Sequence, residues 1–148
     1  VYSTQRRAAE KLVFERWREA MGGRLHLVIA GGAAVRPELV RVFGAAGVTV
    51  LQGYGLTETG PVIAFNRPDR NRPGTVGELL PGTEAKLTKG GELVVRGPQV
   101  MLGYFQKPEA TAEAKDDDGW FRTGDQADIR EGFVTITGRI KNMFKLST

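Results

Sequence analysis

The stretch Gln52-Gly53-Tyr54-Gly55-Leu56-Thr57-Glu58-Thr59-Gly60 follows the apolar run Val48-Thr49-Val50-Leu51 and restricts the fold more than any other part of the chain. The apolar run reads as a short buried strand. Three glycines in nine residues let the backbone turn sharply and lie against a ligand. Between them sit an aromatic ring, two hydroxyls and one carboxylate. A ring can stack on a base. Hydroxyls and backbone N–H groups can hold phosphate oxygens, and a carboxylate can hold Mg²⁺ beside them. The plainer alternatives are a packed aromatic for Tyr54 and a solvated loop charge for Glu58.

The residues upstream place this loop. Ser3 or Thr4 can cap a helix running to about Met21, with Ala9, Val13, Trp17 and Ala20/Met21 on one face. Gly22-Gly23 ends it. Leu25–Ala30 reads as a strand with one polar residue, His26, and is expected to be buried on both faces. A core or edge position suits that histidine better than a catalytic one, since no Ser or Cys motif accompanies it. Gly31-Gly32-Ala33-Ala34 follows, then a helix from about Pro37 to Ala46, with Pro37 in its first turn and Gly47 at its end. Strand, glycine loop, helix and strand make a βαβ unit with parallel strands. Both glycine loops then leave the carboxyl ends of neighbouring strands, the edge where open α/β sheets bind ligands. Small residues at Gly31–Ala34 would let a flat base approach the backbone; a plain strand-to-helix turn has the same composition.

Downstream the pattern changes. Asn66–Gly74 is rich in proline, asparagine and charge, and a domain boundary is expected there. Short strands follow, around Val76–Leu80, Glu84–Thr88, Glu92–Arg96, Met101–Tyr104, Phe121–Arg122, Gln126–Arg130 and Phe133–Thr137. Gly90-Gly91 and Glu131-Gly132 serve as hairpin turns. Pro108–Lys115 can form a short helix. The expected fold is therefore α/β plus β: residues 1–66 end a parallel βαβ subdomain, 67–140 form a small antiparallel distorted β-barrel, and 141–148 begin a hinge.

Composition narrows the function classes. With no cysteine among 148 residues, disulfides and thiolate metal sites are excluded, which fits a cytoplasmic protein. The formal charge is +4, but it is spread along the chain without the aromatic-basic interleave of stacking RNA readers. Nucleic acid is therefore not an expected partner, although a non-catalytic RNA- or nucleotide-binding β module stays open as an alternative. The chain starts at Val1 and stops at Thr148 with no signal of a domain end, so it is expected to be a piece of a longer protein.

Two further segments carry chemistry. In Gly119-Trp120-Phe121-Arg122-Thr123-Gly124-Asp125, a carboxylate after a glycine can accept two hydrogen bonds from a vicinal diol such as ribose. An ordinary turn aspartate beside a core tryptophan fits equally. Gly138-Arg139-Ile140-Lys141-Asn142-Met143-Phe144-Lys145 could bring three cations near a phosphate or ribose, or be a solvated basic strand end. Asp116-Asp117-Asp118 reads as a solvated turn.

Taken in order, these segments resemble the adenylate-forming superfamily of acyl-CoA synthetases, luciferases and peptide-synthetase adenylation domains. Gln52–Thr59 resembles its central signature, Gly31–Ala34 its adenine-side loop, Trp120–Asp125 its ribose motif and Gly138–Lys141 its hinge motif. Gly91–Gly97, Met101–Tyr104 and Lys107–Thr111 resemble the segment between the nucleotide motifs. The ending Lys141–Thr148 is most similar to long-chain fatty acyl-CoA synthetases. The resemblance implies that Thr57 contacts phosphate and Glu58 holds Mg²⁺, the two being the catalytic positions. Gln52, Gly53 and Tyr54 would border the adenine, with Gly31, Gly32 and Ala33 beside it. Asp125 would bind the ribose hydroxyls with help from Arg139, Lys141 would be the hinge of a lid, and Lys145 would sit near the nucleotide. ATP, Mg²⁺ and coenzyme A are the implied cofactors, and a fatty acid the implied substrate. An aryl, acetyl or amino-acid substrate, or a degenerate pseudo-enzyme, are the alternatives within the superfamily. Its phosphate loop and its lid would lie outside this chain. The chain alone is thus expected to be inactive and to self-associate through exposed apolar surface, while the parent could touch membranes peripherally.

Overall fold

The computed structural model describes residues 9–140. A π-wound turn, Glu10–Phe14, continues as helix α1, Glu15–Ala20. Then come β1 (Leu27–Ala30), α2 (Pro37–Ala45) and β2 (Thr49–Tyr54). Pro37 opens α2 as expected, because its missing N–H costs nothing in a first turn. Trp17 of α1 packs on Phe43 of α2 with ring centroids 5.8 Å apart, and the Arg18 guanidinium donates to the Ala46 carbonyl at 2.9 Å. The helix start expected at Ser3 or Thr4 lies outside the described residues.

β1 and β2 are parallel, Leu27 facing Thr49 and Ala30 facing Gln52. Beyond them the sheet continues antiparallel through β3 (Ala64–Phe65), β4 (Gly77–Leu79), β8 (Phe133–Arg139), β7 (Phe121–Arg130), β6 (Glu92–Arg96) and β5 (Glu84–Leu87), giving one mixed sheet of eight strands. β1 and β5 are its two edges, so among the described residues the sheet is open rather than closed into the expected barrel. The short β3 is the splice: it pairs with β2 on one side and β4 on the other.

Three further expectations are corrected. β1 is not buried on both faces, since Leu27 is 44% and Ile29 65% exposed. Nothing among the described residues covers that side of the edge strand. Met101–Tyr104 is not a strand but a turn, because its backbone groups are taken by Glu58 and Thr111 rather than by a ladder. Phe121–Arg122 and Gln126–Arg130 are one strand, bent where the register slips between Gln126 and Ala127. The two expected hairpins do form. Glu131 and Gly132 both have positive φ, 53° and 83°, the conformation a two-residue loop needs to follow strand twist. α3, Pro108–Ala114, occupies the expected helical segment.

The main core is built by Ile63, Ala64, Val76, Leu93, Val95, Phe121 and Val134. Each of these side chains larger than alanine contributes roughly 1.5–3 kcal/mol by leaving water. A second apolar group, Val40, Ala46, Val48, Val50 and Leu51, is buried where α2 lies on β2. The Asn66–Gly74 segment is anchored: Asn66 is 1% exposed, its Nδ2 donates to Thr75 O at 2.8 Å, and its Oδ1 accepts from Arg72 N at 2.9 Å. Its own N–H reaches Gln52 O at 2.9 Å, so a buried amide braces the strand that carries the site.

Candidate active site

A cleft of about 790 Å³ opens beyond the carboxyl ends of β1 and β2. One wall is the loop from Gly32 to Pro37, the floor is Gln52–Leu56, and the far wall is Asp125 with Ile136–Arg139. Its volume lies in the range of small-molecule sites. The two glycine loops and the Thr-Gly-Asp segment thus meet in one place.

Asp125 owes its position to an irregular piece of β7. Gly124 has φ 72°, a conformation a side chain would strain. Its N–H goes to Glu92 Oε1 at 3.1 Å instead of to the ladder. The Thr123 hydroxyl donates to Leu93 O at 2.7 Å and accepts from Asp125 N at 3.1 Å. These bonds fill the gap in the β6–β7 ladder, whose register shifts between Glu92 and Val94, and turn the Asp125 carboxylate toward the cleft. Asp125 as a whole residue is 4% exposed, and a buried charge needs partners. It has two: the Tyr54 hydroxyl donates to Oδ2 at 2.6 Å, and Arg139 Nε donates to Oδ1 at 2.7 Å. Arg139 faces Asp125 because β7 and β8 pair those residues directly. Burial first, and the bond to Asp125 next, push the Tyr54 phenol well above its ordinary range, so at neutral pH it is a fixed donor. The same carboxylate raises Arg139.

Past Tyr54 the chain tightens. A Cβ on Gly55 would lie 1.9 Å from the Pro61 carbonyl oxygen, so this loop closes on itself only with glycine there. Thr57–Thr59 forms a short 3₁₀ turn. The two hydroxyls divide the work. Thr59 is fully buried, accepting from Leu56 N at 2.8 Å and donating to Leu56 O at 2.9 Å, so it fastens the turn. Thr57 is exposed and Glu58 half-buried. The Tyr104 hydroxyl donates to Glu58 Oε1 at 2.9 Å, which raises the phenol above its ordinary value.

Of the residues singled out from sequence, Gly32, Ala33, Gln52, Gly53, Tyr54, Asp125 and Arg139 line the cleft. Gly31 lies just behind the lining, its added Cβ 3.9 Å from Gly53 O. Thr57 and Glu58 stand on the turn beyond the floor, outside the lining itself. Lys141 and Lys145 lie outside the described residues. Sequence reading missed Arg36, Val76 and Ile136 in the cleft wall, and the Tyr104–Glu58 and Asn66–Gln52 links. Only the alternation along β8 hints at Ile136; the two links join residues far apart in the chain.

Whether Glu58 suits Mg²⁺ can be judged from its surroundings. Among the described residues no three acidic or histidine side chains cluster as a metal cage. Mg²⁺ beside phosphates asks for only one or two carboxylates, completing its shell with phosphate oxygens and water. A half-buried carboxylate with one oxygen engaged by a phenol meets that requirement.

An apolar-walled cleft at the carboxyl ends of parallel strands, with a buried carboxylate fixed between a phenol and a guanidinium, marks a small-molecule site of an α/β protein. The chain belongs to the AMP-binding enzyme family, whose model matches residues 4–105. Among curated relatives, the long-chain-fatty-acid–CoA ligase FadD15 of Mycobacterium bovis is 41% identical over 135 residues, 90% of this chain and 22% of that protein. The long-chain-fatty-acid–CoA ligase of Salmonella typhimurium is 43% identical over 136 residues, 83% of this chain and 24% of that protein. The chain thus spans about a quarter or less of the relatives it matches. Among solved structures, ATP-bound MatB from Rhodopseudomonas palustris superposes with a TM-score of 0.72 at 39% identity, covering 79% of this chain and 26% of that one. A malonyl-CoA ligase ternary product complex, with methylmalonyl-CoA and AMP bound, gives 0.67 at 40% identity over 77% of this chain and 27% of that one.

Proposed function

We propose that this chain is the nucleotide-binding part of an AMP-forming acyl-CoA ligase, and that its acid is a long-chain fatty acid. The observation that carries the reading is Asp125: a buried carboxylate aimed into the cleft and held by Tyr54 and Arg139, in a chain of the AMP-binding family. On this reading the adenine lies between the Gly31–Ala33 loop and Gln52–Tyr54. Asp125 accepts from the ribose hydroxyls, which requires it to exchange or share one of its present donors. Thr57 donates to phosphate, and Glu58 would hold Mg²⁺, whose charge would offset that of the phosphates. Lys141 and Lys145 serve as hinge and nucleotide contact.

The chemistry needs no protein nucleophile. A carboxylate oxygen of the fatty acid attacks the α-phosphorus of ATP, the bond to the bridging oxygen breaks, and acyl-AMP and pyrophosphate form. The coenzyme A sulfur then attacks the acyl carbonyl, a thioester forms, and AMP leaves. The chain's residues contribute positioning and fixed donors, the terms that dominate such transfers. The protein would act in the cytoplasm, meeting fatty acid in solution or at a membrane surface.

A second reading keeps the chemistry and changes the acid. MatB and malonyl-CoA ligase structures match this chain at 39–40% identity, about as well as the fatty-acid enzymes do. Carboxylate-dependent ATP–pyrophosphate exchange by the full-length protein, with a panel of fatty, short dicarboxylic, aryl and amino acids, separates the two. Exchange driven by long fatty acids is the expected result. Exchange driven by another acid moves the substrate, and none with any acid refutes the ligase reading.

A further inference from the structure

The turn Met101–Gln106 has no part in the cleft, yet two of its polar groups, one backbone and one side chain, reach a single residue, Glu58. Met101 N donates to the Glu58 carbonyl at 2.8 Å, and the Tyr104 hydroxyl donates to Glu58 Oε1 at 2.9 Å. The turn is itself clamped to α3. Tyr104 N donates to Thr111 Oγ1 at 2.9 Å, and Lys115 Nζ donates to the carbonyls of Met101 and Leu102 at 3.1 and 3.2 Å. A Cβ on Gly103 would lie 2.7 Å from Thr111 Cγ2, so the backbone sits directly on the helix. On either side of Tyr104, Leu102 and Phe105 point into solvent, 95% and 86% exposed. Tyr104 alone of the three turns back, toward Glu58.

We propose that Tyr104 is a positioning residue for Glu58: held on α3 through Thr111, its hydroxyl occupies Oε1 and leaves Oε2 as the single oxygen offered to a divalent cation. The inference rests on the reading of Glu58 given under Proposed function. A carboxylate free to rotate can present either oxygen, or both. Mg²⁺ demands near-octahedral geometry and tolerates a bidentate carboxylate poorly. Engaging one oxygen in a hydrogen bond removes that freedom before the metal arrives, which is how outer partners orient metal ligands.

The test uses the full-length protein and two readouts. Binding of Mn²⁺ in the presence of ATP, followed by the EPR signal of free Mn²⁺, needs no turnover. The free Mg²⁺ that half-saturates ATP–pyrophosphate exchange is the second. Tyr104→Phe keeps the ring and removes only the hydroxyl. It is expected to weaken Mn²⁺ binding about three- to tenfold, the range that the net contribution of one ordinary hydrogen bond supports, and to raise the Mg²⁺ midpoint alike, with the ATP KM at saturating metal unchanged. A merely structural role would lower stability or rate without moving the metal midpoint, and an unmoved midpoint overturns the proposal. Should Tyr104→Phe fail to fold, Thr111→Val loosens the same turn, and the same shift or its absence decides. Glu58→Gln separates the two layers. Wild-type metal affinity in that variant overturns the role of Glu58 and of Tyr104 together. Loss of affinity in Glu58→Gln with none in Tyr104→Phe overturns the role of Tyr104 alone. Absence of exchange in the wild type refutes the ligase reading, while the Mn²⁺ readout still decides on Tyr104.

Discussion

Tyr54 and Asp125 are 71 positions apart and share a hydrogen bond of 2.6 Å. From sequence, the first suggested an adenine neighbour and the second a ribose acceptor. Neither suggested that they are partners. Removing the hydroxyl leaves a buried carboxylate with Arg139 alone, so Tyr54→Phe is expected to destabilise the fold by about 1–3 kcal/mol. The pH dependence has a definite sign. The folded phenol titrates above the ordinary tyrosine value of 10.0. Its stabilisation is therefore complete below pH 10 and is lost as pH climbs through the raised value. Urea unfolding of wild type and Tyr54→Phe should differ by a constant amount from pH 7 to 9 and converge above 10. A constant difference through the alkaline range would show that the bond does not hold the phenol's proton.

At the scale of elements, the parts with local signals were readable and the parts joined at long range were not. The βαβ unit followed from apolar runs, a proline-led helix and glycine ends. The β5–β6 and β7–β8 hairpins followed from their turn residues. The openness of the sheet did not follow, because short strands and turns are common to barrels and open sheets, and only the pairing of β3 with both β2 and β4 decides. The Met101–Tyr104 turn read as a strand for the same reason: its bonds go to Glu58 and Thr111, which no local pattern announces. The Gln52–Gly60 loop was legible as a site because three of its glycines serve geometry. That is testable at Gly55, where an added Cβ would meet backbone at 1.9 Å. Backbone cannot yield as a side-chain end can, so Gly55→Ala is expected to cost on the order of 3 kcal/mol or more. Gly132→Ala should cost about 1–2 kcal/mol, since an added Cβ would meet only a Glu78 carboxylate oxygen at an ordinary 3.9 Å and φ alone objects. Thermal melts of the two variants rank them, and the reverse order would contradict the loop geometry.

Across the whole molecule, polar chemistry gathers on one side of the parallel strands, and apolar surface is left open elsewhere. Leu27 and Ile29 of β1 and Leu39 and Val42 of α2 are all more than a third exposed. A chain of these residues alone is expected to self-associate through that surface. Sedimentation velocity should show concentration-dependent species that Ile29→Asp reduces, whereas a monomer at every concentration would contradict the expectation.

The cleft lined by Asp125, Tyr54 and Arg139 is the proposed seat of the nucleotide. The most direct test of that placement is the ATP KM of the full-length protein in ATP–pyrophosphate exchange, wild type against Asp125→Ala. Losing a charged acceptor for two hydroxyls should raise the ATP KM by roughly tenfold or more, while the KM for the acid changes little. An ATP KM equal to that of the wild type would place the nucleotide elsewhere.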